Sequence, residues 1–155
     1  MSTRYSLRLL KKSIDKATVL VFDLDDTLYL HKVCEASEDY HREIKQYLRT
    51  LKLNNKTLCI ASHHSNPTVL LEKINIKNLF EHIIFEKKKL NGYINNISEY
   101  TNKKDMILEI MQKTNCRKED IIFFDDNIFN ILQVESMNVR CVLVGDTGIE
   151  IDRLR

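Results

Sequence analysis

Two short runs, VFDLDDTL at 21–28 and IIFFDDN at 121–127, each drive an apolar, β-type stretch straight into a pair of acidic residues. A strand that is buried along its length and ends in carboxylates brings negative charge to one edge of a sheet. In open α/β sheets that edge, beyond the carboxyl ends of the strands, is where ligands bind. Asp23, Asp25 and Asp125 would share it. Carboxylates gathered in one place raise each other's proton affinity unless a cation intervenes, and an all-oxygen donor set suits a hard divalent ion. The expectation is a metal site for Mg²⁺.

The remaining pattern supplies the sheet. Strand-like stretches at 18–23, 57–62, 82–85, 121–124 and 140–144 alternate with helical ones. Over 5–16, Leu7, Leu10 and Ile14 share a face, which suits an N-terminal helix within 1–16 packed on the outside of the domain. Over 35–52, Tyr40, Ile44, Tyr47, Leu48 and Leu51 recur at helical spacing. Asn66 and Pro67 open a helix that runs to about 74, with Asn as N-cap and Pro in the first turn. Asn102 opens another with Met106, Ile107, Ile110 and Met111 inward, and 127–137 gives a further one. Residues 86–102 read as a polar loop. Strands alternating with helices imply a parallel sheet with right-handed crossovers. The expected fold is α/β: three layers, Rossmann-like, around a mainly parallel five-stranded sheet.

At 155 residues and 43% hydrophobic content, the chain can bury one core, so 1–155 is expected to be a single domain. Its 24 basic and 22 acidic residues leave a net charge of +2, and charge therefore does not indicate nucleic acid. The basic runs Lys11-Lys12 and 87–89 read as solvated faces. The four cysteines lack the spacing of a zinc or redox motif: Cys59 and Cys141 fall in strand runs as buried, inert thiols, and Cys34 is a plain loop cysteine. Arg4, Arg8, Lys11 and Lys12 interrupt the apolar residues near the start, and no stretch approaches a membrane span. A reducing, intracellular (cytoplasmic) setting is expected, with no membrane partner.

The run Asp23-Leu24-Asp25-Asp26-Thr27-Leu28 resembles the DxDxT motif of the haloacid dehalogenase (HAD) superfamily, and the other three motifs of that superfamily follow in order. LCIAS ends a strand at Ser62; Lys103 or Lys104 offers the lysine; FFDD supplies Asp125 and Asp126. Within the superfamily the chain looks closest to the small capless magnesium-dependent phosphatases, on QKTN at 112–115, FFDDN and Asn130-Ile131, and that register favours Lys103. It departs from the group at Asp26, where an aromatic is usual, and at Tyr29, where a Trp is usual. DLDDTL is also similar to the DLDETL of the carboxy-terminal-domain protein phosphatases.

The resemblance implies a Mg²⁺-dependent phosphomonoester hydrolase. Asp23 would be the nucleophile and Asp25 the acid and base; Ser62 and Lys103 would bind phosphate; Thr27 and Asp126 would support them. Asp23, Asp125 and the main-chain carbonyl of Asp25 would hold the metal, with Asp126 orienting Lys103 or a metal-bound water. A carboxylate is nucleophilic at neutral pH without activation, and two anions need positive charge between them to react. The intervals between motifs hold no separate cap, so the site would be open to phosphate on a protein side chain, a nucleic-acid end or a sugar. His63 and His64 read as loop residues, His31 and His41 as surface residues, and Tyr29 as a pocket or packing residue. A receiver module is excluded, because its acidic pair, phosphoacceptor, hydroxyl and lysine come in another order. A protein phosphatase of the carboxy-terminal-domain type and a catalytically silent HAD-like binding module are the remaining alternatives.

Overall fold

The run VLVF forms the central strand β1 (Val19–Phe22), with all four residues buried. In the computed structural model, which describes residues 7–86 and 102–155, it is flanked by β2 (Thr57–Ser62), β3 (His82–Phe85), β4 (Ile121–Asp125) and β5 (Arg140–Leu143) in the order β3-β2-β1-β4-β5. Every pairing is parallel. The helices are α1 (Leu7–Lys16), α2 (Glu35–Leu53), α3 (Pro67–Lys73), α4 (Lys103–Thr114), α5 (Ile128–Glu135) and α6 (Ile151–Leu154).

Alternation along the strands sorts the core into two layers. Leu20, Phe22, Leu58, Ile60, Ile122 and Phe124 face one side, where Ile44, Tyr47 and Leu48 of α2 cover them. Val19, Val21, Cys59, Ala61, Ile121 and Phe123 face the other, under Met106, Ile107 and Ile110 of α4 and Ile131 and Val134 of α5. Phe22 and Phe124 stack across neighbouring strands at 4.8 Å, locking β1 to β4. Burying each such ring contributes about 1.5–3 kcal/mol. The result is the three-layer α/β architecture expected from the alternating pattern.

Strand order places the site. From β1 the chain steps outward to β2 and β3, then returns past β1 to β4 and β5. The connections of β1 and β4 therefore leave in opposite directions, and a crevice opens between them at the carboxyl end of the sheet. Phe22 pairs with Phe124, so Asp23 and Asp125 are the next residues in register, and the Asp23 N–H donates to the Phe124 carbonyl at 2.8 Å.

Most element boundaries fall within a residue or two of expectation, and the departures have local causes. The fifth strand stops at Leu143 and the helix after β4 at Glu135, because the chain turns at Gly145–Gly148 and at Asn138, whose φ is 63°. As the edge strand β5 is only partly covered, Cys141 is half-buried and not buried as expected. Burial does raise the thiol pKa of Cys141, and it pushes that of Cys59 up to about 12. Asn66 precedes α3 without capping it: its Oδ1 accepts the Thr68 hydroxyl at 2.8 Å. Asn102 does cap α4, accepting the Asp105 N–H at 2.8 Å. Met111, expected inward, is half-buried, and the short α6 carries no period long enough to read. The loop expected over 86–102, the 87–89 basic run and the Leu7 side chain lie outside the described residues. All four cysteines are free, and no described helix is long and apolar enough to cross a membrane.

Candidate active site

The last residue of β1 is followed by a tight turn. Leu24 O accepts the N–H groups of Thr27, Leu28 and Tyr29 at 3.0–3.3 Å, and Asp26 takes the left-handed backbone this turn needs, with φ 58°. Asp is one of the few residues that adopts that conformation readily. The turn folds Thr27 back under β1, where its hydroxyl donates to Asp23 Oδ2 at 3.2 Å. Tyr40 of α2 fastens the turn from below: its hydroxyl donates to the Thr27 carbonyl at 2.5 Å and accepts the Ile149 N–H at 3.0 Å.

At the end of β4, Asp125 is buried and doubly held. Its Oδ1 accepts the Asn127 N–H at 2.9 Å and its Oδ2 the Asn130 side-chain amide at 3.1 Å. Asn127 itself caps α5, accepting the N–H groups of Phe129 and Asn130. Lys103, the first residue of α4, is fully buried, with Nζ 2.7 Å from Asp23 Oδ1, 3.3 Å from Asp125 Oδ2 and 2.5 Å from the Ala61 carbonyl. Lys104 is exposed. Adjacent side chains at a helix start diverge by about 100°, so only one can reach the sheet edge.

Oxygens of Asp23, Asp125 and Asp126 lie within 4.8 Å of one another. Three carboxylates stand here against one ammonium, and the proton affinities of two of them are shifted, in the first place by burial. Burial holds the Asp23 carboxyl above its ordinary range, with Asp125 adding to the shift and Lys103 opposing it. Asp126 is pushed up to about 7 by burial, by a hydrogen bond with Asp23 and by the charges of Asp23 and Asp125. An all-oxygen cluster with charge to spare fits a hard divalent cation, and Mg²⁺ is such an ion.

The structure thus gathers Asp23, Thr27, Lys103, Asp125 and Asp126. Ser62 is buried at the end of β2, one residue past the carbonyl that Lys103 binds, and its Oγ accepts the His64 N–H at 2.9 Å. Asp25, half-buried, turns its carboxylate to His31, with Oδ1 2.6 Å from Nε2. Asp126, read as orienting Lys103 or a metal-bound water, brings its own carboxylate into the cluster beside Asp23 and Asp125.

Sequence reasoning passed over several residues. His31 is exposed as expected, but it is paired to Asp25. His41, expected on the surface, is half-buried; its Nε2 accepts the Leu30 N–H at 2.9 Å, its ring stacks on Tyr29, and burial lowers its proton affinity. The Cys34 thiol has its pKa lowered, first by the Ser37 side chain, whereas nothing in the sequence indicated a shift. Tyr40 read only as a core residue of α2.

The family model of the acid phosphatases matches residues 33–155, a span that includes Ser62, Lys103, Asp125 and Asp126 and begins after Asp23 and Asp25. No curated protein sequence matches the chain. Among solved structures, the chain is similar to a haloacid dehalogenase-like family hydrolase from Streptococcus pneumoniae, at 15% identity and a TM-score of 0.63, covering 90% of each chain. It is also similar to the N-terminal part of a Bacteroides fragilis protein that contains a phosphatase domain complexed with Mg, at 14% identity and a TM-score of 0.67, over 95% of this chain and 42% of that one. A HAD-superfamily hydrolase from Geobacter sulfurreducens matches at 12% identity and a TM-score of 0.56, over 81% and 88% of the two chains. The fold is shared at identities too low to carry function, whereas the family model spans most of the chain. The chain belongs to the acid phosphatase family, on the fold of the haloacid dehalogenase-like hydrolases.

Proposed function

We propose that this chain is a Mg²⁺-dependent phosphomonoester hydrolase that works through an aspartyl-phosphate on Asp23. The observation that carries this reading is the meeting of Asp23, Asp125, Asp126 and the buried Lys103 in the crevice between β1 and β4. The buried Lys103 and the FFDDN run support reading it as one of the small capless magnesium-dependent phosphatases. The interval between Asp25 and Ser62 holds one turn and α2, which leaves the site open on that side. A phosphorylated protein side chain, nucleic-acid end or sugar is the substrate class.

Asp23 attacks phosphorus with a carboxylate oxygen. Thr27 and Lys103 each hold one of its oxygens, so the side chain is fixed before the substrate arrives. Lys103 also lowers the cost of keeping Asp23 ionised where burial opposes it. The Ser62 hydroxyl, its oxygen already engaged by the His64 N–H, has its proton left for a phosphoryl oxygen. Asp25 protonates the leaving oxygen and then takes a proton from the attacking water. Carboxylates of Asp23, Asp125 and Asp126, with the main-chain carbonyl of Asp25, would hold Mg²⁺, whose charge there offsets the repulsion between nucleophile and phosphate.

The test is hydrolysis of an aryl phosphate by the purified chain with Mg²⁺ and after exhaustive chelation, alongside trapping of phosphoenzyme in the native chain and in Asp23→Asn. Turnover that depends on Mg²⁺ and a phosphoenzyme lost in Asp23→Asn are expected. Undiminished rates in chelator would remove the metal, and near-normal turnover by Asp23→Asn would remove the covalent step. Phosphate binding without any turnover would favour the silent binding module.

A further inference from the structure

One carboxyl oxygen of Asp25 is already taken. Its Oδ1 stands 2.6 Å from His31 Nε2, six residues on. The intervening loop is folded so that the two meet: the Asp26 N–H donates to the Tyr29 carbonyl at 2.7 Å, and the His31 N–H donates to Asp26 Oδ1 at 3.2 Å. The imidazole is braced as well. Its ring meets Tyr29 edge-on at 4.9 Å, Tyr29 stacks on His41 at 4.8 Å, and His41, on α2, accepts the Leu30 N–H at 2.9 Å. An exposed histidine is thus tied through an aromatic stack to a helix of the core.

Resting on the phosphomonoesterase reading, we propose that His31 is a positioning residue that fixes Asp25 for proton transfer to the leaving group. With its proton on Nε2, the imidazole donates to Asp25 Oδ1 and leaves Oδ2 for the ester oxygen. As the bond between Asp23 and phosphorus forms and the ester P–O bond breaks, the proton on Oδ2 passes to the departing oxygen. Asp25 becomes a carboxylate, and the His31 N–H meets the new charge. Water then bonds to phosphorus as the bond to Asp23 breaks, and the proton it loses returns to Oδ2. His31 keeps its own proton throughout; it lowers the energy of the ionised form that appears in the transition state.

This role predicts a dependence on the leaving group that a purely structural role would not produce. A dinitrophenolate departs without a proton, whereas an alkoxide needs one. The experiment measures kcat/KM, which reports the steps up to departure of the alcohol, for dinitrophenyl phosphate and glycerol phosphate at saturating Mg²⁺. The native chain, His31→Ala and His31→Gln are compared. His31→Ala should lose about tenfold or more on glycerol phosphate and no more than about twofold on dinitrophenyl phosphate. His31→Gln, which still offers an N–H, should recover most of the loss. Equal losses on the two esters, no loss on glycerol phosphate, or a Gln variant no better than Ala would each overturn the proposal. If the native chain hydrolyses neither ester, the phosphomonoesterase reading fails and the inference fails with it; an active native chain with equal losses sinks the inference alone.

Discussion

Replacing Lys103 with methionine removes the ammonium and keeps a long apolar side chain in its place. Lys103 is fully buried and contacts two carboxylates, at 2.7 and 3.3 Å, and a carbonyl at 2.5 Å. Removing one partner from a buried ion pair leaves an uncompensated charge and costs about 3–5 kcal/mol. That range should apply to Lys103→Met in chelator at pH 8. Lowering the pH relieves it. The Asp23 carboxyl already lies above its ordinary value of 3.8, and Lys103 is a force holding it down. In the variant it rises further, so the folded chain binds a proton that the unfolded chain does not, and stability falls as pH climbs from the unfolded value through the folded one. The deficit at pH 5 should therefore be smaller than at pH 8, by at most about 1.4 kcal/mol for each pH unit over which Asp23 stays protonated only when folded.

Urea unfolding followed by far-UV circular dichroism measures this, since the chain has no Trp to report by fluorescence. An unchanged slope with a lowered midpoint would assign the change to stability. Mg²⁺ should restore more stability to the variant than to the native chain, because in the native chain the ammonium already neutralises part of the charge the ion would meet. At a hundredfold excess over its dissociation constant, an ion that binds only the folded state contributes about 2.7 kcal/mol. A variant as stable as the native chain at pH 8 in chelator would refute the reasoning, as would a deficit that grew on acidification.

Three further substitutions probe the site and its frame. Gly148→Ala should destabilise by about 2–4 kcal/mol in the same urea assay: at φ 86° a side chain is strained, and its Cβ would lie 2.8 Å from the Tyr40 hydroxyl and closer still to the ring. A change under about 0.5 kcal/mol would show that Tyr40 can move aside at little cost. Kinetics separate the neighbouring lysines: Lys103→Ala should lose at least about 2 kcal/mol of transition-state stabilisation, on the scale of a lost preorganised donor, while Lys104→Ala stays near native kcat/KM. A loss confined to Lys104→Ala would reverse that assignment.

The sheet was legible because each strand is its own signal. VLVF, LCIA and IIFF are apolar runs of strand length bounded by polar turns, and the periods of α2 and α4 lie between them. Burial on both faces leaves such a run little choice but an interior strand. β5 was legible as a strand and misread in burial, because a run of the same composition at a sheet edge keeps one side in solvent. The α6 turn and the Gly145–Gly148 turn are set by packing against Tyr40 and α1, not by their own few residues, and no local pattern announces them.

The site divides along the same line. Ser62 and Asp125 end β2 and β4 and Asp23 directly follows β1, so they inherit their positions from strands that could be read. Lys103 follows a cap residue, Asn102, that starts its helix, and the helix start is what aims it. The residues passed over have partners fixed by backbone conformation away from any periodic element. His31 meets Asp25 across a loop in which Asp26 adopts left-handed backbone, and Tyr40 meets Ile149 across a separation of 109 residues because Gly148 has no side chain to block the ring. Tyr40 joins the two kinds of information. As one apolar tooth of α2 it was visible, while its hydroxyl, which links the Thr27 turn to the chain's far end, was not. Thr27 holds Asp23, so the contact that sequence could not show supports the residue that sequence showed first.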